Sequence, residues 1–217
     1  MHKHTRSLHL LLAVLYMLCI ISVSVTFVLN FRPLYYYDIG HLNISETSGY
    51  PEDEIRENYD ALIDYNSVFY TDDLSFPTLS MSENGHTHFV EVKRIFVFVQ
   101  CLAIITLLLV IPLTIRMIKR RELFFLKYAG IMTIVVPAVL GALIAANWNA
   151  FFVGFHHLFF NNDYWIFNAA TDPVILLLPD TFFMHAAILI LVCVVLLSLG
   201  CLFIYAGHKS GKMLNTK

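Results

Sequence analysis

Ten histidines occur in the 217 residues, and several of them stand beside carboxylates or aromatic rings in a chain that has few charges. His86 and His88 lie in Ser82-Glu-Asn-Gly-His-Thr-His-Phe-Val-Glu-Val-Lys, where Gly85 is expected to break the chain before a helix runs on. On that helix His88, Glu91 and Val92 share a face. A carboxylate one turn from an imidazole can orient the ring and raise its basicity. His156 and His157 form an adjacent pair in an intensely apolar stretch, followed by Trp165, Asp172 and His185. Imidazole titrates near neutrality, so two converging histidines can act as general base and general acid. Ionisable groups at membrane depth are costly, which makes them functional candidates; the plainer reading is amphipathic rings resting among lipid headgroups.

Other chemistries fit less well. Cys19, Cys101, Cys193 and Cys201 all lie in apolar runs with no CxxC pair, and read as inert packing side chains. No serine or cysteine stands beside a histidine in a nucleophile motif. His86, His88, His156 or His157 and an acid could supply zinc ligands, but His-x-His on a helix does not bring both rings to one face, and HExxH is absent. Neither a metal nor a cofactor is expected. Asn149, Asn161, Asn162 or backbone amides are candidates to stabilise an oxyanion.

The elements that must carry these residues are membrane helices. The chain is 58% hydrophobic and 14% charged, against about 25% charged in soluble domains. The net charge of −2 suggests no nucleic-acid partner. About 20 apolar residues span the hydrocarbon core as a helix. Four stretches qualify: 10–31, 95–117, 128–148 and 182–206. Pro112 and Pro137 fall inside the second and third and are expected to bend them. The first is too long for a signal-peptide core and no small-residue cleavage site follows it.

Cations set the expected orientation. With the N-terminus inside, Lys3, Arg6, Arg116, Lys119, Arg120, Arg121, Lys127, Lys209, Lys212 and Lys217 face the cytoplasm, and only Arg32, Arg56, Lys93 and Arg94 lie outside. The expected organisation is a cytoplasmic N-terminus (1–9), a first span (10–31), an extracellular cap (32–94), a second span (95–117), a cytoplasmic loop (118–127), a third span (128–148), an extracellular interfacial segment (149–181), a fourth span (182–206) and a cytoplasmic C-terminus (207–217). The fold class is an all-α integral membrane protein with four transmembrane helices and a small extracellular cap. The segment 32–94 is too rich in tyrosine and phenylalanine for a disordered loop. Within it, Pro51-Glu-Asp-Glu followed by Ile55, Tyr59, Leu62 and Asn66 predicts a helix.

Three stretches, taken together with the spans and the cap, carry a family resemblance. They are Gly85-x-x-His88-Phe-x-Glu91-Val-Lys93; Phe155-His156-x-Leu-Phe-Phe160 with Trp165-x-Phe167; and Asp172-Pro-x-Ile with Leu-Leu-Pro179-x-x-Phe-Phe-x-His185. The chain resembles the bacterial lipoprotein intramolecular transacylases over nearly its whole length. Glu91 stands where an aspartate is expected more often. The resemblance implies a diacylglyceryl-modified lipoprotein as substrate, embedded in membrane lipid, with the sn-2 acyl chain moving to the α-amine of its N-terminal cysteine. It implies a bacterial cell membrane, a site at the outer leaflet, no cofactor, and acid/base roles for His88 with His156 or His157. His86, Glu91, Trp165, Asp172 and His185 are supporting candidates. The transition state closes an eight-membered ring, so a site must hold both ends together, an effect worth about 7–11 kcal/mol when positioning is good. Which histidine is base and which is acid stays open. The competing readings are a metal-dependent membrane hydrolase using the same histidines and a non-enzymatic sensor or assembly protein.

Overall fold

The computed structural model describes residues 3–214, with side chains described over 7–210. Lys217 lies outside the described residues, and Lys3, Arg6 and Lys212 lie outside those whose side chains are described. The regular elements among the described residues are all helices: α1 Lys3–Asn30, α2 Arg32–His41, α3 Ile44–Ser48, α4 Glu52–Tyr65, α5 Glu83–Lys119, α6 Phe124–Ala146, α7 Trp148–Phe159, α8 Val174–Leu177 and α9 Asp180–Leu214. Four stretches are long and apolar enough to cross a membrane: Ser7–Asn30, Glu83–Lys119, Phe124–Ala146 and Asp180–Ser210. The helices run on without interruption through Pro112 and Pro137. At 37 residues, α5 is about 55 Å long, well beyond a hydrocarbon core of about 30 Å. Its first three turns, ahead of the apolar run at Ile95, therefore stand clear of that run.

The chain divides into two compact units. The first comprises Met1–Val25, Gln100–Ala142 and Leu189–Lys217. Its core includes Leu12, Ile20, Met117, Phe125, Val194 and Cys201. Gly130 lets α6 approach α9 closely, since a Cβ there would lie 2.8 Å from the Ser198 carbonyl oxygen. Tyr16 bonds Thr114 through their hydroxyls.

The second unit, Thr26–Val99 with Leu143–Ile188, brings the two expected outer segments into one body. Its core is aromatic. Tyr35 and Tyr59 stack at 3.8 Å, and Phe182 packs edge-on against both. The buried Tyr35 hydroxyl is satisfied by donating to the Leu177 carbonyl at 2.7 Å. α4 begins at Glu52, with Pro51 at its N-cap and Glu52, Asp53 and Glu54 in its first turn, where the helix dipole favours acids. Its buried face is Ile55, Asn58, Tyr59, Leu62 and Ile63. The Asn58 amide donates to Thr78 Oγ1 at 2.7 Å and accepts from the Thr78 N–H, tying the approach to α5 onto α4. Lys93 Nζ donates to the Tyr70 carbonyl at 3.0 Å and lies over the Tyr65 ring. The segment between α4 and α5 is thus anchored at both ends of its path.

Candidate active site

The site begins where α5 begins. The Ser82 hydroxyl accepts the Gly85 N–H at 3.0 Å, supplying the cap that starts the helix. Gly85 itself lies inside α5, so it does not break the chain as its sequence context suggested. Its role is close approach: a Cβ at Gly85 would fall 2.2 Å from Asp172 Oδ1. That oxygen accepts the Ser82 N–H at 2.7 Å, and Asp172 Oδ2 accepts the Thr171 hydroxyl at 2.7 Å. Asp172 is buried and braces the helix start. Among the described residues it makes no hydrogen bond or ion pair with an imidazole.

One turn into α5, His88 is 6% exposed, with Phe160 at 4.8 Å, Phe167 at 5.5 Å and Phe89 at 5.8 Å between ring centroids. The second imidazole comes from α7. Asn147 caps that helix by accepting the Ala150 N–H at 3.0 Å. At its far end His156 turns inward, with its ring 6.1 Å from that of His88. His156 stacks on Trp165 at 4.5 Å and lies against Phe152 at 4.3 Å. Its Nδ1 lies 2.8 Å from the Phe152 carbonyl oxygen. A carbonyl can only accept, so Nδ1 carries the hydrogen and, in the neutral ring, Nε2 carries the lone pair.

Burial sets the electrostatics. His88, ahead of the apolar run, is pushed down to about 4 by desolvation and, secondarily, by the neighbouring His156. His156 is also held below the usual histidine value by desolvation, partly offset by its bond to the Phe152 carbonyl, with His157 lowering it slightly further. Both rings are therefore neutral at neutral pH.

The remaining candidates fall elsewhere. His157, one residue on and about 100° round the helix, is exposed and touches only the edge of Trp165 at 5.7 Å. His86 is half-buried, and its side chain makes no ring contact or hydrogen bond among the described residues. The Glu91 carboxylate accepts from the Asn162 amide at 3.0 and 3.2 Å rather than orienting His88. Asn162 is thereby committed, while Asn149 and Asn161 are exposed. The indole N–H of Trp165 is buried without a partner among the described residues. His185 donates through Nδ1 to Asp38, at 2.9 and 3.0 Å from its two oxygens. Sequence reasoning missed Asp38, although an acid one turn from Tyr35 and beside Ile39 on the apolar face of α2 was a visible signal. Among the described residues, no three or more His, Cys, Asp or Glu side chains gather as a metal-binding group.

Two polar rings facing each other in an aromatic enclosure can move a proton between a nucleophile and a leaving group. The family model for the lipoprotein intramolecular transacylase Lit matches residues 10–183. No curated protein matches the chain. The membrane-integral lipoprotein intramolecular transacylase of Bacillus cereus, solved in meso, is similar at 38% identity and a TM-score of 0.94, over 98% of this chain and 100% of that one. Two further structures of the Bacillus cereus protein, each with a histidine replaced (by arginine or by alanine), match at 38% identity and a TM-score of 0.86. They cover 98% and 96% of this chain and 95% of each of theirs. This chain belongs to the lipoprotein intramolecular transacylase family and is a multi-pass membrane acyltransferase.

Proposed function

We propose that the chain moves the sn-2 acyl chain of a diacylglyceryl lipoprotein onto the α-amine of its N-terminal cysteine, with His156 as base and His88 as proton donor. The observation that carries the assignment is the 6.1 Å approach of these two rings, delivered by separate helices into an enclosure of Phe89, Phe152, Phe160, Phe167 and Trp165.

The amine attacks the ester carbonyl carbon, forming the C–N bond and pushing charge onto the carbonyl oxygen. His156 Nε2, whose lone pair is set by the Nδ1 bond to Phe152, takes the amine proton. The intermediate then expels the sn-2 oxygen, which needs a proton back. His88 passes that proton from His156 to the leaving oxygen. A ring held near 4 is a poor resting acid but a strong donor once protonated, which suits protonation of an alkoxide. One proton leaves nitrogen and one arrives at oxygen, so the cycle closes on lyso-form lipoprotein without a co-reactant. The aromatic enclosure excludes water, which favours transfer to the amine over hydrolysis.

The cationic bias of the sequence supports cytoplasmic termini and a site at the outer leaflet, where a lipoprotein displays its cysteine. The Bacillus cereus relatives with replaced histidines are in keeping with a histidine-dependent reaction. The test is mass spectrometry of a lipoprotein N-terminus after incubation with the purified protein in lipid vesicles. The wild type is expected to place an acyl chain on nitrogen, and His88→Ala and His156→Ala to leave it on glyceryl. N-acylation at the wild-type rate in either variant would overturn the assignment.

A further inference from the structure

The intermediate needs donors for its oxyanion, and the asparagines near the site do not supply them: Asn162 is bound to Glu91, and Asn149 and Asn161 face outward. A buried N–H without an acceptor is costly, and native structures hold few. Trp165 carries one. Its Nε1 is shielded from solvent and has no acceptor among the described residues, while its ring lies 4.5 Å from the His156 ring at an interplanar angle of 28°. An indole donates in the plane of its ring. In a stack this close to parallel, its N–H runs alongside the plane holding His156 Nε2 instead of pointing into the imidazole. The indole and the imidazole can thus serve two atoms of one substrate group. Trp148 also has an unpartnered buried N–H, but its ring sits at the start of α7 on Phe151 and Phe152, two turns from His156.

We propose that Trp165 is a catalytic residue whose indole N–H donates to the ester carbonyl oxygen as that oxygen becomes an oxyanion. This rests on the acyl-transfer reading above. As the amine nitrogen bonds to the carbonyl carbon, the π pair moves to oxygen and is held by the indole hydrogen bond. When the C–O bond to the sn-2 carbon breaks, the pair returns, the amide carbonyl forms and the donor is released. A preorganised donor in a dry site is worth more than one in water, because it requires no reorganisation as charge develops. Among the described residues no protein acceptor takes this N–H, which leaves it available to a substrate carbonyl.

The test removes the donor and keeps the ring. Trp165→Phe loses the stack as well as the N–H, so the decisive variant is Trp165→β-(3-benzothienyl)alanine, with sulfur in place of N–H in an indole-shaped side chain. The expected result is a fall in kcat of about 10²-fold or more, the range seen on removing one oxyanion donor, with KM and melting temperature near wild type. Trp165→7-azatryptophan, which retains the N–H, is expected to keep most of the activity. Wild-type kcat in the sulfur variant, or a loss confined to KM, would overturn the role of Trp165. Mass spectrometry of the product separates this from failure of the underlying reading: a wild-type product without N-acylation would remove the acyl-transfer scheme itself.

Discussion

His156 donates its Nδ1–H to the carbonyl oxygen of Phe152, one turn back along α7, at 2.8 Å. A backbone carbonyl thus does for this imidazole what a carboxylate does in many hydrolases: it selects the tautomer and fixes the ring plane without adding charge. The arrangement costs no second ionisable group, which matters in a water-poor enclosure where each charge must be offset. His157 has no such bond and faces outward.

The two neighbouring histidines should therefore behave unequally. His156→Ala is expected to lower kcat by about 10²–10⁴-fold, the usual worth of a positioned acid/base group. His157→Ala should leave kcat near wild type. Steady-state turnover of a synthetic diacylated lipopeptide measures both, and equal losses would move the base role onto the pair as a whole.

The depressed imidazoles predict two pH dependences with different origins. Because His88 and His156 are already neutral at pH 7, the rise of kcat/KM with pH should follow the substrate α-amine, whose reference pKa is about 7.7–8.0. Stability should respond at lower pH. Below about 6.5 an unfolded histidine binds a proton that folded His88 refuses until about 4. The unfolded state then holds more protons, so stability falls as pH drops through this window and levels off beneath it. A pH series of melting temperatures should show that slope weakened in His88→Phe.

Four apolar runs and two histidine-bearing segments between them were legible in the sequence, because hydrophobic length and imidazole content are local properties. What was not legible is which atom each polar group meets. Glu91 shares a helical face with His88, yet its carboxylate is taken by Asn162, 71 residues away. Gly85 reads as a helix breaker by propensity, but Ser82 caps the helix and Asp172 is what needs the missing side chain. The tyrosines of 32–94 divide between an aromatic core at Tyr35 and Tyr59 and an exposed surface at Tyr37, a sorting that depends on contacts with Phe182. Long-range partners of this kind leave no periodic trace.

The Gly85–Asp172 contact gives a test of how far the start of α5 is held in register. Gly85→Ala would drive Asp172 from the position where it bonds Ser82 and Thr171. Overpacking of this kind is expected to cost about 1–3 kcal/mol and to lower kcat by moving His88 one turn away. Asp172→Ala in the same chain should relieve the clash without restoring the lost hydrogen bonds. Thermal unfolding in detergent should then place the double variant between Gly85→Ala and wild type. A Gly85→Ala chain as stable and active as wild type would mean that Asp172 moves aside at little cost.

Asp38 and His185 form a further histidine contact of this unit, and its asymmetry makes the sharpest stability prediction. The Asp38 carboxylate is wholly buried, and among the described residues its one side-chain partner is His185, whose own side chain is 26% exposed. His41 lies further off, 6.0 Å from His185 between ring centroids. Removing the histidine strands a buried acid, whereas replacing the acid by its amide keeps an oxygen that accepts from Nδ1. Breaking a fully buried pair costs about 3–5 kcal/mol, and the partial exposure of His185 puts His185→Ala at or below the lower end of that range. Asp38→Asn should cost less than half as much. Melting temperatures of the two variants in one detergent decide the matter. If Asp38→Asn proved the more damaging, the carboxylate would be stabilised by something other than the imidazole, and the link from α2 to the start of α9 would rest on packing around Tyr35 and Phe182 instead.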